Sequence, residues 1–297
     1  MLPYEPTPVQ ELKDPVAERA GVRILIKREE LNHITVSGNK WWKLKYNLEA
    51  ALEAKRTTLL TFGGAYSNHI YATAAAAAAL RMKSIGIIRG EEHLPLNPTL
   101  SSAVAWGMTL HYMTRSKYRE RTQADFLETL QEKWPDAFII PEGGSNIHAL
   151  HGVQEFGAML NEMQHDFLCL PVGTGGTLAG LAAAGGRATI IGFAASKDSS
   201  LPTKITELIQ LTGCTTPSPW RLINDYQFGG FAKVDDTLRS FTDAFHRQHD
   251  FLLDPVYTSK MMFGVFDLVG KGYFSRGSTI LVVHTGGLQG WRGMIGR

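Results

Sequence analysis

Cysteine is nearly absent: the 297-residue chain has two, Cys169 and Cys214. They lie far apart and match no metal-ligand spacing, which disfavours a disulfide framework and points to a reducing, cytoplasmic compartment. Long apolar runs are missing as well. No stretch approaches the roughly 18 residues of a spanning helix, and the nearest candidate, the alanine tract over 72–80, is short and weakly apolar. Charge of one sign is lacking too. The formal net charge is +2, from 30 basic and 28 acidic residues, which removes the electrostatic ground for a nucleic-acid partner. The first fourteen residues carry Pro3, Pro6 and Pro8 among several acids, unlike a signal peptide. His111, His165 and His246 show no metal spacing, so no metal is expected. What remains is 44% hydrophobic and 20% charged, the composition of an ordinary globular enzyme of one or two domains.

Short apolar runs alternate with helical stretches along the chain. Strands are expected over 57–62, 84–88, 109–112, 137–140, 167–172, 188–194 and 279–284. Helices are expected from about 67 to 80 and over 100–106, 123–133, 149–163, 177–184, 204–211, 236–246 and 259–271. The helix before 80 holds six successive alanines from Ala74, the best helix former. Alternation with short turns predicts α/β architecture, with parallel sheets covered on both faces. Such sheets bind ligands beyond the carboxyl ends of their strands. The loops 63–68, 143–146, 173–177 and 285–287 all fall at such ends, which predicts that they line one cleft.

Two motifs carry chemistry. The first is Ser37-Gly38-Asn39-Lys40-Trp41-Trp42-Lys43. A lysine near a helix start is usually a solvated residue. Here Gly38 and Asn39 tolerate a sharp turn, and Trp41, Trp42, Leu44 and Tyr46 crowd the stretch. Desolvation would lower the Lys40 amine pKa and favour Schiff-base chemistry, while Lys43, on the same helix face, could pair with an anion. The second motif is Gly173-Thr174-Gly175-Gly176-Thr177. A plain strand-to-helix turn needs one glycine. Three glycines and two threonines favour a phosphate, held by free N–H groups and the helix dipole. No Gly-Lys-Ser/Thr follows, and Leu178 breaks the dinucleotide spacing. An aldehyde-binding lysine with a phosphate loop points to pyridoxal phosphate, and so to amino-acid chemistry. Ser67-Asn68-His69 reads equally as an N-cap and as a carboxylate site, and the two are compatible. Tyr257 and Thr285 stand beside Pro255 and Gly286-Gly287, where a packed tyrosine and a plain turn are the ordinary outcomes.

These stretches in this order resemble the pyridoxal-phosphate enzymes of the tryptophan synthase β-subunit fold (fold type II), in the branch of D-cysteine desulfhydrase and 1-aminocyclopropane-1-carboxylate deaminase. The matching segments are Lys27-Arg28-Glu29-Glu30, 37–44, 63–70, 141–146, 173–177, 254–260 and 284–287. The resemblance implies two parallel-sheet domains with the cofactor in their cleft. Residues 1–54 plus 148–297 would form the larger, cofactor-binding domain, and 55–147 a smaller inserted one. Lys40 would carry the cofactor and then move the substrate's α-proton. Lys43, Thr174, Gly175, Gly176 and Thr177 would cradle the phosphate, and Asn68 would bond the ring oxygen. Ser67, His69 and Tyr257 would meet the substrate, with Ser67 and Tyr257 catalytic. Thr285, with Thr258, would face the pyridine nitrogen. The resemblance also implies a homodimer.

Within the branch, the cyclopropane deaminases typically carry glutamate after the tyrosine and leucine before the last Gly-Gly. Here these are Thr258 and Thr285, which favours elimination from D-cysteine, giving pyruvate, ammonia and sulfide. Tyr66 stands where the family often has glutamine, and the loop 227–231 offers Phe228 and Phe231 where it usually has a tyrosine. Opening of the cyclopropane amino acid, another deaminase or racemase activity, and a non-catalytic pyridoxal-phosphate-binding protein are the alternatives. A nucleotide-binding α/β protein ranks last, because it leaves Lys40 unexplained.

Overall fold

A computed structural model describes residues 2–293. In chain order the elements are β1 (Val9–Glu11), α1 (Pro15–Ala20), β2 (Arg23–Lys27), α2 (Asn39–Glu53), β3 (Thr58–Gly63), α3 (Asn68–Ala79), β4 (Lys83–Arg89), α4 (Pro98–Ala105), β5 (Met108–Met113), α5 (Ala124–Lys133) and β6 (Ala137–Ile140). There follow α6 (Ile147–Asn161), β7 (Phe167–Val172), α7 (Gly176–Ala183), β8 (Thr189–Ala194), α8 (Leu201–Leu211), β9 (Trp220–Ile223), α9 (Asp236–His249), α10 (Thr258–Gly270) and β10 (Thr279–Val283).

The strands form two sheets. One has the order β1-β2-β10-β7-β8-β9 and the other β5-β4-β3-β6. All pairings are parallel except β1 with β2. Two mainly parallel sheets packed with helices are the α/β architecture expected from the alternating pattern. The four strands of the smaller sheet all fall between Thr58 and Ile140, whereas both chain ends supply the larger sheet. We propose that the domain division follows the two sheets.

Apolar side chains on both faces explain the layering, since a parallel sheet must be covered twice. In the larger sheet, Leu168, Leu170, Leu281 and Val283 pack with Leu44, Leu48, Leu150, Val153 and Leu178 from α2, α6 and α7. The opposite residues Cys169, Ile280 and Val282 meet Met261, Val265 and Phe245 from α10 and α9. In the smaller sheet, Leu60, Phe62 and Ile85 face α5 through Phe126 and Leu130. Ile88 and Met108 meet Ile70, Ala74, Leu100 and Ala103 from α3 and α4 on the other side. Along α3 the buried alanines let the helix lie close against its sheet.

The expected strands and helices all occur, with ends shifted by a few residues. Lys40 falls inside the first turn of α2, which starts at Asn39 directly after the turn at Gly38. Four elements were not anticipated: β1, α1, β2 and β9.

Candidate active site

The carboxyl ends of both sheets converge, and the loops there touch. Gly38 enters α2 with φ 70° and ψ −146°, a backbone that L residues rarely adopt. A Cβ there would also stand 2.0 Å from the Thr285 carbonyl oxygen, so glycine is required twice over. The next amide, Asn39 N–H, donates to that Thr285 carbonyl at 3.2 Å. The Asn39 side chain donates to Thr177 Oγ1 at 2.8 Å and accepts from Lys40 Nζ at 3.0 Å. Asn39 therefore ties the lysine to the glycine-threonine loop.

Lys40 is half-buried as a residue, but burial around its amine pulls the pKa down to about 8, against the attraction of Asp254, which raises it. Lys40 shares a small cavity with Thr35, Ser37, Asn68, Thr285 and Gln289. Its volume is ≈ 10 Å³, room for about one water.

At the other end of the cleft, β7 runs into Gly173 and α7 begins at Gly176. Gly175 has φ 87° and no side chain caps the helix, so its first N–H groups face the loop's concavity. Lys43 is 2% exposed and donates to the Gly143 carbonyl at 2.7 Å and to Ser145 Oγ at 3.2 Å. Burial, and then the charge of Lys40, push its pKa well down. Ser145 Oγ lies 2.8 Å from Thr174 Oγ1. A Cβ at Gly176 would stand 2.6 Å from Ser145 Oγ and 2.8 Å from Lys43 Nζ. An uncapped helix start, a buried lysine and hydroxyls of Thr174, Thr177 and Ser145 make a cradle fitted to a phosphate.

Ser67 caps α3, its Oγ accepting from the His69 and Ile70 amides at 3.2 and 3.3 Å. Its own O–H proton stays available. Asn68 opens the helix and accepts from Gln289 Nε2, which leaves its Nδ2 to donate. A Cβ at Gly287 would stand 2.6 Å from that Nδ2, so the amide faces the last glycine pair. His69 is 2% exposed, and neither ring nitrogen has a partner among the described residues. The nearby Pro141 carbonyl favours a protonated ring without forming a bond of acceptable geometry. Burial, then Lys40 and Lys43, hold the ring pKa well down, so His69 is a neutral imidazole.

Tyr257 precedes α10 and lies against Gly173, whose Cβ would stand 3.2 Å from its ring. Burial and the Asp254 charge push its hydroxyl pKa up. Phe231 packs edge-on against Tyr257 at 5.9 Å between ring centres. Thr258 is fully buried and its hydroxyl turns back to the Asp254 backbone, whereas Thr285 lines the Lys40 cavity. Sequence reasoning missed Asp254. Its Oδ1 accepts from the amides of Val256, Tyr257 and Thr258, yet burial pushes its pKa up to about 7.

The family of pyridoxal-phosphate dependent enzymes matches residues 1–286. The chain belongs to that family. Its cofactor is pyridoxal phosphate, and the lysine beside the cradle fits that group. A Pyrococcus horikoshii protein provisionally named a 1-aminocyclopropane-1-carboxylate deaminase is 31% identical, over 98% of this chain and 91% of its own length. The bifunctional D-cysteine desulfhydrase/1-aminocyclopropane-1-carboxylate deaminase of Arabidopsis thaliana is 27% identical, over 97% of this chain and 78% of its own. A crystal structure of an ACC deaminase homologue superposes with a TM-score of 0.82 at 27% identity, covering 96% of this chain and 90% of that one. Among the described residues no helix is long and apolar enough to cross a membrane.

Proposed function

We propose that this enzyme is a lyase for a small amino acid and that its favoured reaction is the elimination of D-cysteine to pyruvate, ammonia and sulfide. The observation that carries this reading is the lining around Lys40, where Thr35, Ser37, Asn68, Tyr71, Thr285 and Gln289 offer hydroxyls and amides, while the carboxylate whose charge reaches the amine, Asp254, is bound to the amides of Val256, Tyr257 and Thr258. Eliminating a thiol needs a base at Cα and a leaving group content to be an anion, and a thiol of pKa about 8.5 is one. When bound, pyridoxal phosphate supplies a carbonyl for the substrate amine and a ring that stores the electrons released at Cα.

This chain's residues do the rest. Lys40, with its amine near pKa 8, takes the α-proton, since a base works best with its pKa near the operating pH. Ser67 donates its O–H to the substrate carboxylate at the N-terminus of α3, where the helix dipole favours an anion. Neutral His69 adds no competing charge. Tyr257 keeps its proton and can pass it to the departing sulfur. Loss of the β-thiolate leaves 2-aminoacrylate, which water converts to pyruvate and ammonia.

Opening of 1-aminocyclopropane-1-carboxylate to 2-oxobutanoate and ammonia is the second reading. It is favoured by the names of the relatives and by the same Tyr257 proton, which a ring carbon could accept. The purified holoenzyme given each substrate separately decides between them. Sulfide and pyruvate from D-cysteine, with little 2-oxobutanoate from the cyclopropane, is the expected result. The reverse pattern would replace the first reading by the second.

A further inference from the structure

The motif Lys27-Arg28-Glu29-Glu30 has no part in the chemistry above, yet Glu29 is fully buried and one of its two oxygens is bound to residues on either side of the turn before Lys40. Its Oε1 accepts from Thr7 Oγ1 at 2.5 Å and Tyr4 Oη at 3.2 Å, with Lys27 Nζ 3.7 Å away. Its Oε2 accepts from Trp42 Nε1 at 2.7 Å and Asn32 Nδ2 at 2.9 Å. Asn32, also fully buried, passes the restraint on. Its Oδ1 accepts from Gly38 N–H at 2.8 Å and its Nδ2 donates to the Gly38 carbonyl at 3.1 Å. The Glu29 backbone carbonyl takes a second bond from Gly38 N–H at 3.1 Å.

We propose that Glu29, acting through Asn32, is a positioning residue for Lys40. A buried carboxylate survives only when its oxygens are satisfied, and this one is satisfied by groups that bracket the lysine: Asn32 before it and Trp42 after it. Gly38 has no side chain of its own to hold an unusual backbone, and no side chain caps α2. The turn is fixed instead by Asn32 on one side and Thr285 on the other. Lys40 is two residues beyond Gly38. Freeing the Gly38 peptide would let the amine leave the line between Asn39 and the Thr177 loop, and small misplacements of a reacting group are costly.

The inference rests on Lys40 as the cofactor lysine, so Lys40→Ala is measured alongside. Three further variants separate the roles. Asn32→Ala cuts the arm to Gly38 and keeps the carboxylate. Glu29→Gln keeps the shape but opposes a donor to either Asn32 and Trp42 or Thr7 and Tyr4. Thr7→Val removes one partner on the far oxygen and leaves the Asn32 arm intact. The readouts are the dissociation constant of pyridoxal phosphate and the pH at which Lys40 becomes reactive to an acylating reagent in the cofactor-free protein. Asn32→Ala and Glu29→Gln are expected to weaken cofactor binding about tenfold or more and to move the Lys40 titration from about 8, with Thr7→Val close to wild type on both. If Glu29→Gln does not fold, Asn32→Ala decides alone. Wild-type affinity and titration in a folded Asn32→Ala, with Lys40→Ala weakened, would overturn the proposal. Unchanged affinity in Lys40→Ala would overturn the cofactor lysine and the proposal with it. Equal losses in Thr7→Val would reduce Glu29 to a general packing role and overturn it too.

Discussion

Two lysine amines carry the same depressed pKa of about 8, those of Lys40 and Lys260, so acidity alone does not select between them. Geometry does. Lys260 Nζ is committed to the Gln227 and Gly230 carbonyls at 2.8 and 2.7 Å, clamping the loop that brings Phe231 to Tyr257. Among the described residues Lys40 Nζ bonds one neutral partner, Asn39, and it lines the cavity. A depressed amine pKa means the reactive free base grows as pH rises through that value. Coupling of pyridoxal phosphate to the cofactor-free protein should therefore speed up with pH and level off above about 8, as followed by stopped-flow absorbance. A rate still climbing toward the ordinary lysine value near 10.4 would place the reactive amine in water. The sequence made Lys40 legible because Gly38, Asn39 and two tryptophans are adjacent to it. Asp254 and Glu29 were not, since the burial of one and the four side-chain bonds of the other are made by residues brought together only by folding.

At the scale of elements, we propose that the N-terminus of α7 holds the cofactor's phosphate. Gly176→Ala would drive a methyl into Ser145 Oγ and Lys43 Nζ. It should weaken pyridoxal phosphate about tenfold or more by moving donors out of register, while the fold, read by circular dichroism, persists. Ser67→Ala should cost about 1 kcal/mol of stability through the lost cap, measured by urea unfolding, and should also raise KM through the lost carboxylate donor. Most elements were legible because strand and helix periods alternate cleanly. The missed ones are short or at the margins. β1 is three exposed residues on the sheet edge, α1 has six residues, and β9 has four, none of them fully buried. β2 is a different case: it ends on a buried charged residue, Lys27, and its place between β1 and β10 is set by pairing with segments distant in sequence.

For the whole molecule, the cleft joins loops from the two sheets, so the cofactor would bridge them. Gly143 and Ser145 follow the small sheet and Thr174 follows the large one. Asn68 belongs to the small sheet's helix and Gln289 to the segment after β10. A ligand that binds only the folded protein stabilises it by about 2.7 kcal/mol at a hundred times its Kd. Pyridoxal phosphate should therefore raise Tm in the wild type, and raise it less in Lys40→Ala. Equal shifts would mean that the lysine adds nothing to the bridge.

The central claim is that Lys40 carries the cofactor. The measurement that tests it most directly is borohydride reduction of the holoenzyme, followed by peptide mapping by mass spectrometry. The account predicts one pyridoxyl-phosphate adduct, on Lys40. An adduct on Lys43 or Lys260, or none at all, would contradict it.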